Sequence, residues 1–464
     1  MSYASFVQRK AESVRPAGFT PTLPDSYQLM PHQSSLVEWA CKRGRAAIFA
    51  DTGLGKSRMQ IAWADQVVNQ TGRSVLILAP LAVAAQTVAE GAAIGVAVHQ
   101  CRDESDLQDG INITNYDRLH RFDCTCFVGV VLDESSVIKH HDSKTLAILL
   151  NAFNSTPYKL CATATPAPND WTELGTHAEF LGVRKQVEML AEFFVHDAAE
   201  TQVWRLKGHA RGMFWKWVAS WGALVRSPAD LGFDASRYVL PALHSHQHVI
   251  EQEHCPDSTG ELFAREAQTL MDRRDARRNS LVDRVRACAE MVNADSEPWI
   301  VWCDLNAESE ALCAAIPGAI EVRGSDSPEV KERRLIDFAE GRVRVLVSKP
   351  SICGFGLNWQ HCAHMAFVGV TDSWEAYYQA VRRCWRFGQK REVHVHVFSS
   401  SAEGAVLANL ARKEADAKAM ADAMSKETLG AIQAEILGAS KESDEYNPRR
   451  KIALPAFLRA MESA

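Results

Sequence analysis

The chain has no Cys-x-x-Cys pair among its 12 cysteines, no long apolar run and no excess of positive charge. Structural zinc sites draw on paired ligands at short spacing, and the nearest pairs here are Cys124-Thr-Cys126 and His254-Cys255. The cysteines therefore read as reduced, mostly buried thiols. The longest apolar stretch, residues 75–85, contains Pro80 and is shorter than the ~20 residues that cross a bilayer. The opening MSYASFVQRKAESVRP is polar and has no apolar signal core, so a cytoplasmic location is expected. A net charge of −6 gives no global basic field, and any contact with nucleic acid must come from a local patch. With 464 residues, 47% apolar and 23% charged, the chain has room for two or three globular domains with sizeable cores.

Short apolar runs alternate with helical patterns. Strands are predicted at Ala46–Ala50, Val75–Pro80, Gly110–Thr114, Phe127–Leu132 and Tyr158–Ala162, with helices at Ser57–Asn69 and Leu81–Gly91. Continuous apolar strands separated by helices predict a parallel sheet covered on both faces, an α/β fold. The aromatic-rich segment Trp171–Leu224 reads as helices packed on this first lobe, and Arg226–Arg237 as a linker. A second α/β series follows, with strands at Tyr238–Glu251, Trp299–Cys303, Ala319–Val322, Val343–Ser348, Met365–Val370 and Val393–Phe398. Helices are predicted at Glu261–Val292, Glu308–Ala315, Glu329–Phe338 and Ala402–Leu437. His244, His246 and His248 alternate; a metal site is conceivable, but one face of a strand is the plainer reading.

The glycine-rich turn Ala50-Asp51-Thr52-Gly53-Leu54-Gly55-Lys56-Ser57 follows the first apolar strand. Such a turn, with Thr52, Gly53 and Gly55, wraps backbone N–H groups around a polyphosphate; Lys56 reaches the outer phosphates and the Ser57 hydroxyl holds Mg²⁺. Alone, it is also compatible with a glycine turn carrying a surface lysine. Asp133-Glu134 follows a second strand on the same sheet. We assign Asp133 to the metal, and Glu134 to the base that polarises the attacking water. Thr163-Ala164-Thr165-Pro166 leaves a third strand, where hydroxyls can link this site to the other lobe. Within "YYQAVRRCWRFGQ", Gln379, Arg383 and Arg386 fall on neighbouring helical positions. Arginines aimed at a γ-phosphate from another lobe stabilise transition-state charge.

In order and content these motifs resemble a superfamily-two helicase-type motor of the Swi/Snf-like DNA translocase family, over about Leu29 to Phe398. "LMPHQSSLVEWA" resembles its nucleotide-recognition motif, in which Gln33 would read the adenine edge. "ADTGLGKS" resembles its Walker A, "LILAPLAV" motif Ia, "ITNYDRL" motif Ib and "ATATP" motif III. "WIVWCDLNAE" resembles motif IV, and the stretch from Gly324 to Cys362 leads through motif V. "QAVRRCWRFGQ" is the closest match, to a motif VI ending in Arg-x-Gly-Gln. Ser135-Ser136 stand where the family has Ala-His, and Pro350 and Cys353 where it has small residues and Gly.

The resemblance implies two RecA-like lobes with parallel sheets, a P-loop NTPase with helical insertions and a C-terminal helix. The expected boundaries are an N-terminal extension at 1–24, lobe 1 at 25–226, a linker at 227–237, lobe 2 at 238–400, and a C-terminal helix and tail at 401–464. ATP and Mg²⁺ would bind between the lobes. DNA backbone would cross their tops at Pro80, Thr114, Asn115 and Tyr116, and at Asn306, Arg323, Gly324 and Ser348, with Lys349 added. Arg273-Arg274-Asp275-Ala276-Arg277-Arg278 and Arg449-Arg450-Lys451 are further basic clusters, each equally readable as a solvated face. A compact motor of this kind resembles those of bacteriophages and bacteria, which would place it in the host cytoplasm if phage-encoded. DNA, with replication or repair proteins, is the expected partner. Two alternatives stay open: a strand-separating helicase for forked or branched DNA, and an ATP-gated clamp on nucleic acid or protein with slow turnover.

Overall fold

The computed structural model describes residues 18–80, 83–139, 143–168, 170–196, 204–250, 280–353, 358–369 and 373–400, and positions 412–415, 418, 422, 425, 426, 430, 433 and 436. In the first lobe the strands are β1 (Arg45–Ala50), β2 (Val75–Ala79), β3 (Val98–Gln100), β4 (Ile111–Asn115), β5 (Gly129–Asp133) and β6 (Tyr158–Ala162). A short hairpin, β7 (Phe194–His196) with β8 (Trp204–Leu206), stands apart, and β9 (Gly222–Val225) returns to the sheet. The sheet runs β3-β4-β2-β5-β6-β1-β9, with all its described pairs parallel. β2 and β5 are buried along their whole length, as apolar strands covered on both faces must be.

Two local features of the first lobe position the site. The helix Lys56–Thr71 starts at Gly55 and stops at Gly72, both left-handed, and buries Met59, Ile61, Ala62, Trp63 and Val67. β6 lies between β1 and β5, with Ala162 level with Ile48 on one side and Asp133 on the other. The turns that leave β1, β5 and β6 therefore open side by side at one sheet edge.

The aromatic segment differs from the expected all-helical reading. Its helices, Leu174–Phe180, Gln186–Phe193 and Arg211–Ala219, are joined by the hairpin and followed by β9. β9 adds Ala223 and Val225 beside β1, and Gly222 lets the Phe49 ring approach: a Cβ there would fall 3.0 Å from it. The strand escaped prediction because it is four residues long and abuts a helix of strong aromatic character. β3 was missed for a similar reason, being three residues long with only its first residue buried.

The second lobe contains β10 (Leu243–Ile250), β11 (Trp299–Trp302), β12 (Ile320–Val322), β13 (Val345–Ser348), β14 (His364–Phe367) and β15 (Val393–Ser400). They form one parallel sheet in the order β10-β15-β14-β11-β13-β12. One face packs around Trp302, Phe338, Trp359 and Phe367, the other around Val292, Trp299, Leu312 and Phe398. The helices here are Leu281–Asn293, Asn306–Ala315, Pro328–Ala339, Pro350–Cys353 and Trp374–Val381. Of the long helix expected over 261–292, the part before residue 280 lies outside the described residues, as do Arg273–Arg278 and Arg449–Lys451. The described positions between 412 and 436 are helical and lie against the segment after β9. Arg226 pairs with Asp422 and donates to Ser425 Oγ at 3.0 Å, and Gln433 Nε2 donates to the Asp230 carbonyl at 3.1 Å.

His244, His246 and His248 lie on one face of β10, in register with His394, His396 and Phe398 of β15. Their rings stack at 4.7–4.9 Å. His246 Nε2 meets His394 Nδ1 at 3.3 Å, and His248 Nε2 meets His396 Nδ1 at 3.0 Å. Each contact needs one ring nitrogen as donor and one as acceptor, so the accepting ring of each pair must be neutral. Burial, then the neighbouring histidines, pulls His396 down to about 4 from its ordinary 6.5. Glu392, beside His244, and Asp295, Glu297 and Arg391, near His364, are the charged groups that face the ladder. Above the ordinary value both folded and unfolded rings are neutral and the stabilisation is whole. As pH falls toward about 4 the unfolded chain binds protons that the folded ladder refuses, and stability is lost. A lower melting temperature is expected at about pH 5 than at about pH 7, with a shallower pH slope in His396→Phe. Equal slopes in the two proteins would show that the ladder does not couple to folding.

Candidate active site

The glycine turn between β1 and the helix Lys56–Thr71 is a tight cradle. Gly53 and Gly55 have φ of 93° and 81°, where a side chain would be strained. A Cβ on Gly53 would also lie 2.8 Å from the Phe387 Cβ, so lobe 2 touches this loop directly. Lys56 Nζ donates to the carbonyls of Ala50 at 2.9 Å and Asp51 at 3.4 Å. Burial lowers its pKa, while Glu134, Asp51 and Asp133 oppose that shift. Ser57 opens the same helix one residue later. Gln33 serves the loop itself: its Nε2 donates to the Leu54 carbonyl at 2.9 Å, and its Oε1 accepts from Met30 N–H at 2.9 Å. Each end of this buried amide thus makes one hydrogen bond to protein, of the two that it can make.

Asp133 ends β5, nearly buried, and burial followed by the charge of Glu134 raises its pKa to about 6. Gln60 Nε2 donates to its Oδ1 at 2.6 Å. Glu134 is the next residue, at φ 51° and ψ 54°. A non-glycine residue in this left-handed region costs about 1–2 kcal/mol and is held there by its surroundings. Thr163 Oγ1, at the exit of β6, donates to Glu134 Oε2 at 3.3 Å. Ser135 Oγ lies 3.1 Å from Nε2 of the buried His177, whose pKa is pulled to about 4 by burial. A histidine from another helix is thus brought to the acidic turn in a chain that has serines after the acidic pair. Glu134→Gly, free of the strain, is expected to match or exceed the wild-type melting temperature while losing turnover. A fall in melting temperature would mean that the Glu134 contacts outweigh the strain.

Lobe 2 closes over this edge. Arg383 is buried, and its Nε and Nη2 reach the Gln379 carbonyl and Oε1 at 3.1 and 3.2 Å. Burial lowers its pKa, with Glu134 and Asp133 among the charges opposing the shift. Arg386 is held at about 10, by burial first and then by Arg383, so it stays cationic at neutral pH. It is also one of the charges that act on Lys56. Gln379 is buried, and its Nε2 has no partner among the described residues. Further contacts join the lobes. Tyr378 OH and Arg382 Nη2 donate to the two oxygens of Asp51 at 2.7 and 2.8 Å. Glu375 pairs with Lys139. The Phe387 ring lies 4.8 Å from Tyr238, which in turn meets His32 at 5.3 Å.

The residues expected along the DNA path divide. Pro80, Asn115, Tyr116, Lys349, Asn306, Arg323 and Gly324 are partly or fully exposed. Thr114 and Ser348 are not: both are buried, with their hydroxyls donated to the carbonyls of Cys101 and Val322 at 2.8 and 2.9 Å. Their hydroxyls complete strand ends and do not face solvent. Tyr116 OH donates to the Asp133 carbonyl at 2.7 Å, which ties the end of β4 to the acidic pair. Asn115 caps the following turn by accepting from Arg118 N–H at 3.0 Å. Arg323 is paired with Glu321 at 2.7 Å and Glu310 at 3.5 Å.

The cleft suits a Mg·nucleotide on the chemistry of its donors: a lysine and paired arginines as cations, glycine-turn amides, one hydroxyl and two carboxylates. Mg²⁺ keeps several waters and takes only one or two protein oxygens beside the phosphates, which Ser57 and Asp133 could supply. No group of three or more His, Cys, Asp or Glu among the described residues is arranged to hold a metal. Among the described residues, too, no helix is long and apolar enough to cross a membrane.

Two parallel sheets facing each other across a glycine turn, an acidic pair and a set of arginines define a two-lobed P-loop ATPase of helicase type. Two family models match the chain: the SNF2-related domain at residues 32–194 and the helicase conserved C-terminal domain at 283–388. The chain belongs to the Swi/Snf-like, helicase-type ATPases of superfamily two. Among curated proteins no match was found.

Proposed function

We propose that the protein is a DNA-stimulated ATPase that couples closure of the 25–226 and 238–400 lobes to movement along DNA. The observation that carries this reading is the convergence of Lys56, Asp133 and Glu134 from one lobe with Arg383 and Arg386 from the other. A bound Mg·ATP supplies the phosphoanhydride to be cleaved and the metal charge that neutralises it. Lys56, with the N–H groups of Gly53 and Gly55, would hold the phosphates, and Ser57 and Asp133 would hold the metal. Glu134 Oε accepts the proton of the attacking water, steadied by Thr163. Arg383 and Arg386 stabilise charge that develops on the equatorial oxygens, and the spare N–H of Gln379 is a further donor toward them. Exposed backbone amides and side chains at Asn115, Asn306, Gly324 and Lys349 would hold DNA phosphates, which predicts weak sequence preference.

The test is the ATP turnover rate with no nucleic acid, single-stranded DNA, duplex DNA, branched DNA and RNA in parallel, followed by displacement of a third strand from a DNA triplex. Turnover raised by DNA and triplex displacement without fork unwinding are expected. A rate that no DNA changes would refute the reading.

A further inference from the structure

The helix Trp374–Val381 carries Glu375 and Tyr378 on one stripe, continued by Arg382 in the turn that follows it, at spacings of three and four residues. All three reach lobe 1, but to different parts of it. Tyr378 and Arg382 hold Asp51 of the glycine turn. Glu375 instead addresses the two turns that frame the acidic pair. Its Oε2 pairs with Lys139, just after the turn that follows Glu134, and its Oε1 accepts from Thr165 Oγ1 at 3.3 Å. These side chains are only 21% and 11% exposed for Lys139 and Glu375, so solvent screens the pair far less than at an open surface. From Thr165 the path continues inward. Thr165 N–H donates to Thr163 Oγ1 at 3.1 Å, and Thr163 Oγ1 donates to Glu134 Oε2 at 3.3 Å. Thr163 is fully buried and Thr165 nearly so. A carboxylate of lobe 2 is therefore linked by three consecutive hydrogen bonds to the strained glutamate of lobe 1.

We propose that Glu375 is a positioning residue: when the lobes meet, its contacts with Lys139 and Thr165 set the rotamer of Thr163 and through it the carboxylate of Glu134. The idea rests on the function proposed above, because it needs Glu134 to be the base. It adds a residue that touches no substrate and that makes the geometry of the base depend on lobe closure. Separation of the lobes removes the Glu375 acceptor, frees Thr165 and leaves Glu134 held only within its own lobe. Futile turnover in the open state is thereby restrained.

The test compares wild type, Glu375→Gln, Lys139→Gln and the charge-swapped Lys139→Glu/Glu375→Lys, using the full chain. Steady-state kcat and KM for ATP are measured with saturating duplex DNA, and small-angle scattering is measured without nucleotide. For each single variant we expect kcat about tenfold lower, KM within about twofold, and a larger radius of gyration. The swapped protein should recover most of kcat. Wild-type kcat and an unchanged scattering profile in both single variants would overturn the proposal, as would a loss that the swap fails to restore. If Glu375→Gln misfolds, Lys139→Gln reads the same contact from the other lobe. If wild type itself shows no DNA-stimulated turnover, the ATPase reading fails, and the scattering comparison still decides whether Glu375 and Lys139 join the lobes.

Discussion

Lys56→Ala is expected to lower ATP turnover by about 10³-fold, measured as phosphate release with saturating duplex DNA. The ammonium lies at the inner wall of the glycine turn, on the carbonyls of Ala50 and Asp51. Three carboxylates, Glu134, Asp51 and Asp133, act on it. Alanine removes the cation that offsets those carboxylates. Lys56 is among the charges that hold the Asp133 pKa down against burial, so its loss pushes that carboxyl above its present value of about 6. The metal would then compete with a proton at neutral pH as well as losing a phosphate ligand's neighbour. Binding and chemistry should fall together. Turnover within tenfold of wild type would remove Lys56 from the phosphate site.

Arg386→Ala is expected to leave ATP affinity within a few-fold of wild type and to depress kcat by about 10³-fold. Arg386 comes from the opposite lobe, stays cationic with a pKa of about 10, and acts on Lys56 across the cleft. Its charge is useful where negative charge grows during phosphoryl transfer, and less so in the ground state, where Lys56 already faces the phosphates. Arg383→Ala is a less clean probe, because Arg383 also fixes Gln379 through two hydrogen bonds. Equal loss of binding and turnover in Arg386→Ala would instead mark a structural role.

The strands that carry the site were legible because a parallel sheet buried on both faces requires uninterrupted apolar runs. β6 coincides with its predicted bounds, and β1, β2, β4 and β5 depart from theirs by two residues or fewer at each end. Asp133 and Thr163 follow from being the first polar residues past those runs, and Lys56 from closing the glycine turn after β1. Other parts of the cleft have no local signature. Arg382 meets Asp51 across 331 residues and Glu375 meets Lys139 across 236, and composition near either partner says nothing about the other. The left-handed backbone of Glu134 runs against the preference of its own residue type. Gln60 was open to inspection, one helical turn past Lys56 on the same face, but only the structure brings Asp133 to it. Thr114 and Ser348 were read as phosphate contacts from their motif positions, although a hydroxyl at a strand end is as well used on a neighbouring carbonyl.

The most direct measurement of a cleft completed by both lobes is the affinity for a transition-state mimic, ADP with aluminium fluoride and Mg²⁺, in the presence of duplex DNA. The wild type should bind the mimic more tightly than ATP, and Arg386→Ala should lose that preference while keeping its affinity for ATP. An Arg386→Ala protein that still prefers the mimic as strongly as the wild type would contradict the shared site.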